Sequence, residues 1–230
     1  DEVNRAFDSV AQPIFNETGW LPFPNMERGT YDWLYGLSGT DRHRWPTGNI
    51  LAGFRVGQPA RELGEELTDR TLFAAVPELQ RTRLMYGPEN QTWNAAHVPG
   101  TGGAETDLII MANRGAGTGA AMNESLGHET QHVMQRLFGR MGGTSPARVA
   151  EQNPDLYERY FGGLAAMYPN EPVQQLEQLT RSGMYRRVPG EWEATVGGAL
   201  SGRPGANSML LHELSNGIMP DFALRNRYQP

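Results

Sequence analysis

Hydrophobic positions in the first quarter of the chain follow no sustained helical or strand period. Residues 1–58 are instead rich in aromatics, Gly and Pro, as in Trp20-Leu-Pro-Phe-Pro24, Tyr31-Asp-Trp-Leu-Tyr35 and Arg44-Trp-Pro46. This predicts an extended arm that lays its aromatics on the main body or on a partner, with the main domain spanning 59–230. From Pro59 to Gln80 the pattern turns helical: Pro59 suits a first helical turn, Ala60 to Leu67 forms one helix, and Leu72 to Ala75 a second, short one. Arg81–Tyr86 reads as a strand closed by Gly87-Pro88, Asn94–Val98 as a second, and Thr106–Ala112 as the strongest. After the loop 113–117, a helix runs from Thr118 or Asn123, either of which can cap it, to Phe138, where Gly139 and Gly142-Gly143 end it. Helical segments follow at about 145–152, 155–167, 171–184, 190–200 and 208–216. Helix, a few strands, then a helix-rich second half is the order of an α+β fold with a small antiparallel or mixed sheet.

Composition narrows the chemistry. The 230 residues suffice for a full hydrophobic core. With a net charge of −6, the chain has no broad attraction for nucleic acid or anionic lipid. No apolar run approaches the ~18 residues of a membrane helix. There is no Cys, so any metal must be held by His and carboxylate. All 20 basic residues are Arg, which removes lysine nucleophiles and Schiff bases. The N-terminus, Asp1-Glu2-Val3, has neither an initiator Met nor a signal pattern, as expected of a piece of a longer polypeptide.

The most informative segment is His128-Glu129-Thr130-Gln131-His132. On a helix, positions i and i+4 share a face, so two imidazoles can reach one metal ion. Glu129 is offset by about 100° and flanks the metal without binding it. This is the H-E-x-x-H arrangement of zinc peptidases: His128 and His132 as ligands of Zn2+, Glu129 as the base that takes a proton from water. Leu126, Val133 and Leu137 form an apolar stripe on the same helix. The plainer alternative is a surface helix with two solvated His. A third ligand is required. The metzincin positions are occupied by Gln135 and Phe138, which excludes that class. Gly190-Glu191-Trp192-Glu193-Ala194 offers two carboxylates behind Pro189; two residues apart, they point to different faces, so only one should bind. The other would orient a His or stay in solvent.

Three blocks in this order resemble the zincin-like domains of large polyvalent proteins from phages and conjugative elements: Leu67 to Leu79, Leu126 to Gln135, and Tyr185-Arg-Arg-Val-Pro-Gly-Glu-Trp-Glu-Ala194. The resemblance covers about residues 65–200. It implies a zincin fold, in which a small mixed sheet packs on the active-site helix and a later helix supplies a Glu. Related zincins place that ligand in Glu-x-x-Ala, which selects Glu191. Where the family has Arg-Asn after Ala, this chain has Thr195-Val196. The resemblance also implies a peptide or protein substrate, partners among virion or conjugation proteins, and a place in a virion or in a larger protein delivered into a host cell. In zincins the sheet edge pairs with an extended peptide, and Thr106–Ala112 reads either as that edge or as a plain core strand.

Tyr185, Arg186 and His212 are available to stabilise an oxyanion. His212, in Leu210-Leu-His-Glu-Leu214, also suits a structural role, as do His97 and His43. The Gly pairs lack the Lys-Ser/Thr ending of a phosphate loop. Two functions from different classes follow: a zinc-dependent peptide hydrolase, and a non-catalytic structural module of a larger assembly that retains the zincin fold.

Overall fold

A computed structural model describes residues 20–25, 30–35, 59–67, 69–87, 94–112, 119–139 and 144–202. The first pair of segments forms an antiparallel hairpin, β1 (Trp20–Asn25) and β2 (Thr30–Tyr35). Part of the region expected to be an arm without regular period is therefore a two-stranded ribbon. Its Pro residues at 22 and 24 mask the strand signal in sequence, since a two-stranded ribbon has two open edges where a missing N–H is tolerated.

A four-stranded sheet follows, in the order β3 (Arg61–Glu62), β4 (Arg83–Gly87), β6 (Leu108–Ala112), β5 (Ala95–Val98). It is mixed: β4 and β6 run parallel, whereas β3 and β5 pair antiparallel to their neighbours. The expected helix from Ala60 is replaced by β3 and one helical turn, α1 (Leu63–Glu66). Pairing explains the difference: Arg61 sits opposite Leu84, and the Leu63 N–H donates to Thr82 O at 2.7 Å. The sheet bond overrides helix propensity, while Leu63 and Leu67 still point inward, one turn apart. The short helix α2 (Arg70–Ala75) starts where Asp69 caps the Leu72 N–H at 2.9 Å. The expected start of β4 at Arg81 falls two residues early, because Pro77–Arg81 closes a 3₁₀ turn.

For Thr106–Ala112 the sequence left two readings open, a sheet edge and a plain core strand, and the second holds. β6 lies inside, between β4 and β5, and β5 is the edge on that side. Its near-continuous apolar run fits the internal position, with Ile109 and Met111 turned into the core.

α3 (Gly119–Leu137) packs on the sheet through Leu126, Val133 and Met134, against Leu84, Tyr86, Ile109 and Met111. Each fully buried Leu or Ile contributes about 1.5–3 kcal/mol. Gly139, at φ 64°, ends the helix in the left-handed region, as its residue type predicts. The second half is helical: α4 (Pro146–Gln152), α5 (Pro154–Met167), α6 (Val173–Tyr185) and α7 (Pro189–Gly202). Three of these begin at a Pro, whose missing N–H costs nothing in a first turn. A second small core, Val149, Met184 and Val188 with Leu156, Tyr157, Tyr160 and Tyr185, fixes the turn between α6 and α7. α7 then runs along α3, and β2 lies beside both. Among the described residues, no helix is long and apolar enough to cross a membrane. The expected helix at 208–216 lies outside the described residues.

Candidate metal centre

One helical turn brings the two imidazoles of α3 together. His128 Nε2 and His132 Nε2 stand 3.1 Å apart, with ring planes at 87°. Glu191, in the first turn of α7, completes the group. Its Oε2 lies 3.5 Å from His128 Nε2 and 3.4 Å from His132 Nε2. Among the described residues, these three form a group whose ligand atoms lie within 4.8 Å of one another.

Glu191 is 1% exposed. Its Oε1 accepts from the Thr144 N–H, whereas its buried Oε2 faces the two imidazoles. Burial works against the Glu191 charge, but the two neighbouring His hold its carboxyl well below the usual carboxylate range. Burial likewise works against a charged His132, and the carboxylates of Glu191 and Glu129 override it, pushing the imidazole up to about 9. The cluster is thus electrostatically arranged to hold positive charge between three ligand atoms.

Two glycines make this approach possible. A Cβ on Gly198 would fall 2.6 Å from Glu124 O and 3.2 Å from His128 Cβ. A Cβ on Gly127 would collide with Ser201 Oγ. Glycine at both positions lets α7 run against the backbone of α3, which delivers Glu191 to the imidazoles. The Thr144 N–H, just before α4, orients the carboxylate from the far side.

Around the ligands, Glu129 is buried and flanks the pair. Tyr185 joins the site from the end of α6: burial pushes its phenol well above the usual range, and the carboxylates of Glu191 and Glu129 push it further. At neutral pH it is a hydrogen-bond donor, not a phenolate. The His128 side chain keeps 20% exposure, whereas those of His132 and Glu191 are buried.

Behind His132 lies a polar chain. Its Nδ1 is 2.8 Å from Gln135 Oε1, and the Gln135 amide nitrogen donates to Gly190 O at 2.8 Å and to Glu193 Oε2 at 2.9 Å. Beside it, Asp107 is buried, accepting from the Gly100 N–H at 2.8 Å and from the Arg136 Nε at 2.8 Å. His97, on β5, approaches Asp107 to 3.3 Å and stacks on His132 with ring centroids 6.4 Å apart.

The structure therefore brings together His128, Glu129, His132, Tyr185 and Glu191. It separates the two acidic residues of α7 as their spacing required: Glu191 faces the imidazoles, and Glu193 faces Gln135. Arg186 is exposed on the surface. His212 lies outside the described residues. Sequence reasoning missed Gln135, Asp107, Arg136, Gly127 and Gly198. Gln135 had a usable signal, since it lies three residues after His132 and so on the same helix face. Asp107 had none, because its partners are joined only by tertiary contact.

No protein-family model, curated protein or solved structure matches this chain.

Proposed function

We propose that this chain is a zinc-dependent peptide hydrolase with a zincin-like fold. The observation that carries the proposal is the convergence of His128, His132 and Glu191 around one point, with the buried Glu191 Oε2 turned toward both imidazoles. Both imidazole nitrogens face that oxygen, at 3.5 and 3.4 Å, so a cation placed among the three atoms would be bound by all of them. Two imidazole nitrogens and one carboxylate oxygen are the donor set of catalytic zinc sites, which keep a further position for water. A small mixed sheet packed on the helix that bears His-Glu-x-x-His supports the fold reading.

Zinc held by His128, His132 and Glu191 would lower the pKa of water toward ~7 and polarise a carbonyl. The chain's own residues supply the rest. Glu129 accepts the proton of water as its oxygen attacks the peptide carbonyl carbon, and returns that proton to the departing amine as the C–N bond breaks. The protonated Tyr185 phenol donates to the oxyanion that develops. The substrate is a peptide in extended conformation. β5, the edge strand that carries His97 beside His132, is the strand available to pair with it.

The test is Glu129→Gln, which keeps the ligands and removes the base. Zinc content is expected to be unchanged, while cleavage of an unfolded protein such as denatured casein falls by about 10²-fold or more. Cleavage that survives the change refutes the role of Glu129. Zinc uptake by the unaltered chain with no cleavage refutes hydrolysis and leaves a structural module.

A further inference from the structure

The geometry points to Gln135 as the positioning residue of the metal centre: with Glu193 and Gly190 it fixes which nitrogen of His132 faces the ligand cluster. This rests on the zinc reading of His128, His132 and Glu191, but its own evidence is separate.

Gln135 is fully buried, and its side chain has one donor end and one acceptor end. The donor end is fixed without ambiguity. Its two neighbours, Gly190 O and Glu193 Oε2, are a carbonyl and a carboxylate, which only accept. Both amide hydrogens are therefore used there, and the carbonyl end must face His132 Nδ1 at 2.8 Å. Two acceptors cannot share a hydrogen bond without a hydrogen, so Nδ1 carries one. In the neutral ring, Nε2 then holds the lone pair, and Nε2 is the atom that meets His128 and Glu191.

The arrangement also couples the ligands. Gly190 and Glu193 flank Glu191 on the first turn of α7, while Gln135 and His132 share a face of α3. The amide ties the turn that bears the carboxylate ligand to the helix that bears the imidazoles, across 55 and 58 residues of sequence. Glu193 is in this account a support for Gln135 and not a ligand.

A carboxylate in place of Gln135 would not serve. It would accept from Nδ1–H, but it would also meet Glu193 and Gly190 O with no hydrogen to donate. Reversing the pair restores the sense of the chain: Glu at 135 accepts from His132, and Gln at 193 donates to Glu at 135.

The first measurement uses the metal-free chain. With the ring neutral, the ¹⁵N resonance of His132 Nδ1 is expected in the range of a protonated ring nitrogen and that of Nε2 in the range of a bare one. A bare Nδ1 overturns the proposal, whatever zinc does. The second measurement is zinc affinity by competition with a chelating dye. Gln135→Leu is expected to weaken it by about 10–100-fold, the usual cost of losing a partner of a metal-binding His. Gln135→Glu should also bind more weakly than the unaltered chain, and the double variant Gln135→Glu with Glu193→Gln should bind zinc more tightly than Gln135→Glu alone. Unchanged affinity in Gln135→Leu, or a double variant no better than Gln135→Glu, overturns the relay. If the unaltered chain takes up no zinc, the hydrolase reading falls, and the Nδ1 resonance still decides the role of Gln135.

Discussion

Asp107 has no exposed side-chain surface, yet it collects Gly100, Arg136 and His97 around one carboxylate. Burial alone would raise its pKa; His97, the Arg136 guanidinium and the Gly100 N–H together hold it below its ordinary value. A carboxyl with a depressed folded pKa stabilises the fold fully above its unfolded value of ~3.9, and loses that contribution as pH falls through the folded pKa. Asp107→Asn is expected to cost about 3 kcal/mol at neutral pH, because the partly buried Arg136 loses its counter-charge. The difference in thermal midpoint between the two proteins should then narrow below about pH 4, where the unfolded carboxyl takes up its proton before the native one does. A difference that stays constant down to the acid unfolding range would show that the charge of Asp107 stabilises nothing. At this same scale, the His pair and Glu129 are legible from five consecutive residues, because helical spacing alone decides their geometry. Glu191 and Glu193 are separable only in part: spacing says that they diverge, and the two glycines that bring one of them to the imidazoles carry no such label. Gln135 stands in plain view as a helix-face neighbour of His132, but its meaning depends on Gly190 and Glu193.

Between elements, the decisive contact is α3 against α7. Glu191, Ala194, Gly198 and Ser201 follow one another at three- and four-residue steps, which places them along one face of α7. Small residues on that face admit the backbone of α3. Gly198→Ala would set a methyl 2.6 Å from Glu124 O, and a backbone oxygen inside a packed helix cannot give way as a flexible side chain can. The variant is expected to lose about 1–3 kcal/mol of stability to overpacking and, because Glu191 is carried outward, to bind zinc at least tenfold more weakly. Zinc affinity equal to that of the unaltered chain would show that Glu191 reaches the imidazoles without the close helix contact. Helices were the most legible elements, since Pro at their starts and Gly139 at the end of α3 act locally. Strands were less so. β3 is two residues long and exists only because Arg61 and Glu62 meet β4. That β5 and not β6 holds the edge could not be read, because strand order is a property of pairing, and no single strand's sequence contains it.

At the scale of the whole molecule, one core beneath the sheet and a second around Val149, Met184 and Val188 hold two distant parts of the chain at a fixed separation. The first core carries the imidazoles and the second sets the start of α7. A metal ion bound by His128, His132 and Glu191 would join them, so binding to the native state alone should stabilise the fold by mass action, by about 2.7 kcal/mol at a hundredfold excess over the dissociation constant. The class of fold, a small mixed sheet followed by helices, could be read from the order of elements. The hairpin at the N-terminal side could not, because Pro residues hide its strands. The most direct measurement is zinc content by elemental analysis of the purified chain, before and after chelation, with the thermal midpoint recorded on each sample. One zinc per chain, removed by chelator together with several degrees of thermal midpoint and restored with it, is the expected result. A chain that is folded, holds no zinc and shows no change of midpoint when zinc is added would contradict the account.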